Sequence, residues 1–150
     1  MSDQSLPCLP SPDDPMPDQR ALHERWCALM GPLGFSTRSL WFARVDVDRR
    51  MVPPLVQIDE CPVTPDPAGV RRLLGHARTF VDEEAPDGSL AVLLSRPGRG
   101  AITDDDREWA RALIDAGRYT RVPLEPLHLA TDDVLVPLAP DDLAATRRSA

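Results

Sequence analysis

The sequence predicts a single α/β domain, on the border with the α+β class, with helices packed on a mixed sheet. The chain has 150 residues, a length typical of one domain. Segments with apolar residues at helical spacing alternate with short runs rich in β-branched and aromatic residues. The predicted order of elements is α-β-β-α-β-α-β-β, which favours a sheet covered by helices.

The first predicted elements are a helix and a β-hairpin. The helix spans about 18–30, and its apolar face contains Leu22, Trp26, Leu29 and Met30. Strands at 40–47 and 51–58 flank a short polar turn and are expected to pair antiparallel. Pro53 and Pro54 cannot donate ladder hydrogen bonds, so they place the second strand at a sheet edge or bulge.

A second helix and a central strand follow. The helix begins at Asp66-Pro67, an N-cap followed by proline, and ends near Glu84. Its predicted buried stripe contains Val70, Leu73, Leu74, Ala77, Phe80 and Val81. The run at 89–94 is continuously apolar, which is typical of a strand buried on both faces.

The last predicted elements are a third helix and two strands. The helix spans about 103–116 and is expected to end at Gly117. Strands at 124–130 and 134–138 join through an acidic turn, and their prolines again indicate edges or bulges. Three tryptophans are expected to be core anchors: Trp26, Trp41 and Trp109.

The domain is expected to occupy residues 17–144. Residues 1–16 form a proline-rich leader that is too poor in large apolar side chains to fold, and residues 145–150 are a frayed tail. The three cysteines form no CxxC pair, which favours a reducing compartment. Neither a signal peptide nor a membrane span is visible, so the expected location is cytoplasmic. The net charge of −7 disfavours nucleic-acid binding.

The segment from Leu94 to Asp106 runs from a strand end through a Pro/Gly loop into a helix. It resembles the core of the JAB/MPN metallopeptidase fold, in particular its RadC-like branch, and the similarity extends over about 40–138. In that branch the strand end reads His-Asn-His-Pro-Ser-Gly, and Ser-x-x-Asp follows on the helix. Here Pro97 and the Thr103-x-x-Asp106 spacing match this pattern, with the loop about one residue shorter. Leu94 and Arg96 stand in place of the two histidines.

The resemblance implies a site without its metal. In the family the two histidines and the aspartate hold a zinc ion that lowers the pKa of a bound water. Only Asp106 has a matching position here, so we expect no metal, no cofactor and no catalytic residue. The positions of the degenerate site are Leu94, Ser95, Arg96, Thr103, Asp106 and His128, the last because RadC-like sequences often carry a histidine near this point.

Two structural roles are predicted for these positions. Thr103 and Asp106 have the spacing of a capping box. Arg96 either forms an ion pair with Asp106 in place of the metal or points into water. The loop opens onto a helix N-terminus, which favours anions, but three aspartates fill the first turn and repel them. The other histidines, His23 and His76, are expected to be solvated on the surface.

The predicted function is that of a non-catalytic JAB/MPN-like domain acting as an interaction or scaffold protein. Its expected partner is an unidentified protein or a second copy bound through an edge strand. Neither nucleic acid nor a membrane is an expected partner. One alternative is a metal-independent or metal-degenerate hydrolase using Asp106, His128 and Ser95. The other is a nucleic-acid binder associated with DNA repair, which the negative charge disfavours.

Overall fold

A computed structural model describes residues 14–100 and 102–139 of the chain. The described part contains three helices and five strands: α1 Gln19–Met30, β1 Ser39–Val45, β2 Met51–Ile58, α2 Pro67–Glu84, β3 Ser89–Ser95, α3 Asp104–Thr120, β4 His128–Ala130 and β5 Leu135–Pro137. The strand order is β2-β1-β3-β4-β5, with β3 and β4 parallel and the other neighbours antiparallel. The predicted α/β domain with a mixed sheet is therefore confirmed.

The sheet separates two apolar layers. Helices α2 and α3 cover one face, where their side chains form the larger cluster with Leu40, Leu94 and Leu129. Helix α1 covers the other face, where Trp26 packs against Leu93 and against alanine and valine side chains of the strands. Because successive strand residues point to opposite faces, neighbours such as Leu93 and Leu94 belong to different layers.

Strand β3 lies in the middle of the sheet, and all seven of its residues are buried, as its apolar run predicted. Strand β2 is an edge strand, and its register with β1 shifts between Phe42 and Arg44, close to Pro53 and Pro54. The predicted edge position and irregularity are both present. The predicted strand at 124–130 is shorter, because Leu124 forms only an isolated bridge.

One predicted helix boundary is confirmed and another is wrong, each for a clear physical reason. The side chain of Asp18 accepts a hydrogen bond from the Ala21 backbone N–H at 2.9 Å and caps α1. Helix α3 does not end at Gly117 but continues to Thr120. A Cβ at Gly117 would lie 2.8 Å from Leu124 Cδ1, so this glycine allows close packing rather than terminating the helix.

Three apolar residues differ from their predicted environments. Met16, predicted to belong to the unfolded leader, is fully buried under α1, and its N–H donates to the Arg49 carbonyl. Phe80, predicted in the buried stripe of α2, is 54% exposed, and Leu29, predicted on the apolar face of α1, is 39% exposed. Both adjoin β2, beyond which no further strand of the described residues extends the sheet to cover them.

The remaining predictions for the chain ends fall on residues 1–13 and 145–150, which lie outside the described residues. Of the tryptophans, Trp26 and Trp109 are buried as predicted, while Trp41 is only half-buried. Among the described helices, none is both long enough and apolar enough to cross a lipid bilayer.

Candidate functional site

The end of β3 sends its side chains to two different faces of the sheet. Leu94 is buried in the cluster under α2 and α3. Arg96, two residues later, reaches the first turn of α3 on that same face. Ser95 points to the opposite face, where its hydroxyl oxygen accepts a hydrogen bond from Trp41 Nε1 at 2.9 Å.

Arg96 and Asp106 form the buried ion pair that the sequence predicted. Arg96 Nε lies 2.8 Å from Asp106 Oδ1, and Nη2 lies 2.8 Å from Oδ2. Such two-pronged contacts are the strongest form of arginine–carboxylate recognition. The side chain of Asp106 is fully buried, and that of Arg96 is 8% exposed. The guanidinium of Arg96 thus occupies the space directly beside the Asp106 carboxylate.

The predicted capping box is present around the same carboxylate. Asp106 Oδ2 accepts the Thr103 backbone N–H at 3.0 Å, and Thr103 Oγ1 accepts the Asp106 N–H at 3.2 Å. One aspartate therefore both caps α3 and neutralises Arg96. The capping box and the ion pair were alternative interpretations of the sequence, and both are present at the Asp106 side chain.

A second arginine, which the sequence did not single out, completes the cluster. Arg38 Nη1 donates to Asp106 Oδ1 at 3.3 Å, and the Arg38 side chain is 11% exposed. Ser39 pairs with Ser95 across the antiparallel β1–β3 ladder, so Arg38 lies opposite Arg96. Only the register of β1 against β3 indicates that Arg38 lies near Arg96, and that register depends on the pairing of two strands that are distant in sequence.

The charge state of Asp106 follows from these contacts. Burial by itself raises the pKa of the Asp106 carboxyl, but hydrogen bonds from Arg96 and Thr103 outweigh it and hold the pKa below its ordinary value. The carboxylate is therefore ionised at neutral pH and has two guanidinium partners. It is a poor proton acceptor, because protonation would leave Arg96 buried beside a neutral group.

These residues do not fit a zinc ion. Leu94 has no ligand atom, Arg96 places a permanent positive charge at the site, and both oxygens of Asp106 accept hydrogen bonds. Within residues 14–100 and 102–139, no group of three or more histidine, cysteine, aspartate or glutamate side chains is arranged to hold a metal ion.

The loop after Arg96 is held by the acidic turn between β4 and β5. Asp132 accepts the N–H of Gly98 at 2.8 Å and that of Phe35 at 3.0 Å, and Asp133 accepts the N–H of Gly100. The bonds from Phe35 and Gly98 lower the pKa of the Asp132 carboxyl. A hydrogen bond from the Thr131 hydroxyl, together with that from Gly100, lowers the pKa of the Asp133 carboxyl. The loop's amide donors are thus directed at the protein's own carboxylates rather than at an external anion.

His128 lies on the α1 face of the sheet, away from Asp106. Its ring stacks on that of His23, with centroids 5.6 Å apart. Its Nδ1 lies 3.1 Å from the Pro126 carbonyl oxygen, which only accepts, so Nδ1 carries the hydrogen. Nε2 is buried and has no hydrogen-bond partner among the described residues. Burial, the larger cause, and the nearby His23 lower the pKa of His128 to about 4.

The three residues of the hydrolase alternative are consequently not brought together. Asp106 belongs to the first turn of α3, whereas Ser95 and His128 lie on the α1 face of the sheet, where Ser95 is fully buried against Trp41. The prediction for His23 was wrong, since it is half-buried and its Nε2 lies 2.9 Å from the Leu135 carbonyl oxygen. His76 is exposed, as predicted.

A second candidate site, which the sequence did not indicate, lies between β2 and α2. It is a cavity of about 130 Å³. Apolar side chains dominate its lining: Phe42, Val56, Ile58, Leu73, Phe80 and Leu90. Arg44 and His76 also contribute to the wall. The exposed side chains of Val56 and Phe80 place it at the surface.

Comparison with known proteins gives no family assignment. No protein-family model matches this chain, and no curated protein matches it at a significant level.

Proposed function

We propose that this protein is a non-catalytic binding domain with a JAB/MPN-like fold, which holds a protein partner at the pocket between β2 and α2. A structural ion cluster takes the place of the resembled family's metal centre. The observation that carries the proposal is the apolar pocket, which lies beside an edge strand of the sheet.

The surface around the pocket favours an apolar ligand. Scattered exposed apolar residues are normal on soluble proteins. Val56 and Phe80, however, are 40% and 54% exposed and border one apolar concavity. A concave apolar surface with a few polar groups is typical of a binding site.

The edge of β2 offers a second element of recognition. Its outer side has no strand neighbour among the described residues, so an extended segment of a partner can add to the sheet there. Pro53 and Pro54 carry no N–H and restrict this pairing to the second half of the strand. Val56 and Ile58 in that half line the pocket, so backbone pairing and side-chain insertion occur at adjacent positions.

The ion cluster supports the non-catalytic part of the proposal. Asp106 is fully buried, and its oxygens are engaged by Arg96, Arg38 and Thr103. A general base must reach the proton that it removes. Asp106 would have to leave three donors to do so, which argues for a structural role.

Selection from a displayed library of random peptides, with the full-length protein as the target, tests the binding function. Binders are expected to lose at least about tenfold in affinity on Val56→Glu, because a carboxylate would be desolvated in the apolar contact. Val47→Glu is the matched control, since Val47 is 67% exposed and does not line the pocket. Failure to select any peptide, or equal effects of the two substitutions, would contradict the proposal.

A further inference from the structure

One wall of the pocket contains a buried cation. Arg44 on β1 is only 7% exposed. Its Nη2 donates to the Pro53 carbonyl, and its guanidinium carbon lies 5.9 Å from the centroid of the Phe80 ring. No ion pair joins Arg44 to a carboxylate in the part of the chain that the structure describes.

This environment differs from that of Arg96, the other buried arginine lying on the α2–α3 side of the sheet. Arg96 is neutralised by Asp106, whereas Arg44 has a carbonyl and an aromatic face. Those groups compensate only part of the cost of removing a guanidinium from water. A carboxylate is the ligand group that an arginine fork recognises best. The wall is therefore suited to an incoming anion.

The volume of the cavity limits the size of the apolar group that can be attached to that anion. A volume of about 130 Å³ is similar to that of cavities that accept a benzene molecule. It accommodates one branched or aromatic side chain and is too small for a long acyl chain. The apolar lining selects an uncharged group.

We propose that the pocket binds the C-terminal residue of a partner protein, and this inference rests on the binding function proposed above. The last side chain, an apolar one, fills the cavity, and the terminal carboxylate pairs with Arg44. The preceding residues extend along the outer edge of β2. Val56 and Ile58, two residues apart, face the cavity and thus flank the path of that segment.

The experiment compares two displayed libraries on the full-length protein. One presents random heptapeptides with a free C-terminus, and the other presents the same heptapeptides followed by a fixed polar tail. The free-terminus library is expected to yield binders ending in Leu, Ile, Val or Phe. A synthetic binder should bind at least about tenfold more tightly as the free acid than as the C-terminal amide.

Arg44→Gln is expected to reduce the ratio of acid to amide affinity to about one, and Arg44→Lys to retain part of it. Thermal melting checks that these variants fold. If Arg44→Gln does not fold, the acid-to-amide ratio of the unaltered protein still decides the question.

The outcomes separate this inference from the proposed function. Binders from the tailed library alone, sensitive to Val56→Glu, would overturn the terminal-carboxylate inference and leave the binding function standing. No binders from either library would overturn both. A dimer that Val56→Glu dissociates would show that a second copy closes the pocket, and it would overturn the inference. The inference would also fail if decanoate displaced the selected peptides at a concentration lower than that of the peptides themselves.

Discussion

Lowering the pH from 7 to 4.5 is expected to destabilise the fold through His128. The folded protein holds the pKa of His128 at about 4, below its ordinary value of 6.5, because the ring is buried and lies beside His23. Between these two values the unfolded chain binds a proton that the folded protein does not. The contribution of His128 to the free energy of unfolding is therefore fully present above about pH 6.5. It decreases as the pH is lowered and is lost below about pH 4.

The magnitude follows from the difference in pKa. Each pKa unit corresponds to about 1.4 kcal/mol, so the full effect is about 3 kcal/mol. Most of it, about 2 to 3 kcal/mol, falls between pH 7 and pH 4.5. This window lies largely above the range in which Asp106 and Glu125, whose pKa values are lowered, lose their own contributions.

Urea unfolding at a series of pH values measures the effect. His128→Asn is the comparison variant, because its amide can still donate to the Pro126 carbonyl but does not titrate. The unfolding free energy of this variant should depend less on pH than that of the unaltered protein, by about 2 kcal/mol. An NMR titration of the ring gives the folded pKa directly. A midpoint near 6.5, with parallel pH profiles for the two proteins, would refute the reasoning.

Three further predictions follow from other parts of the fold. Met16→Ala should lower the free energy of unfolding by about 3 kcal/mol, because the side chain is fully buried under α1; a loss below about 0.5 kcal/mol in urea unfolding would place it outside the core. Purified protein supplied with zinc chloride should contain no stoichiometric zinc by elemental analysis, and about one zinc per chain, lost on Asp106→Ala, would contradict the ion-cluster interpretation. Duplex DNA should not bind at physiological salt in a fluorescence-anisotropy titration, because the net charge is −7. Micromolar affinity with a steep salt dependence would instead support the DNA-repair alternative.

The local features of the fold were largely predictable from the sequence. Helix starts at Asp18 and Thr103, the fully buried β3 and the edge position of β2 each depend on neighbouring residues and on periodicity. The Arg96–Asp106 pair could also be predicted, because a short loop joins the strand end to the start of the next helix. All these features depend on residues that are close together in the sequence.

The features that were missed depend on contacts between distant segments. Arg38 joins the cluster only through the register of β1 against β3, and His23 meets His128 only because α1 covers the opposite face of the sheet. Met16 is buried by that same helix, although its own surroundings are rich in proline. The pocket with Arg44 in its wall arises where α2 meets the edge strand, and no local pattern indicates that position.

A double-mutant cycle between Arg96 and Asp106 tests most directly the claim that the strand end is a structural ion cluster. Each of Arg96→Ala and Asp106→Ala should cost about 3 kcal/mol of unfolding free energy, because it leaves a buried charge with fewer partners. The double variant should lose about 2 kcal/mol less than the sum. The exposed pair Arg20–Glu24 provides the control, with no measurable coupling expected. Additive, near-zero effects at Arg96 and Asp106 would contradict the account.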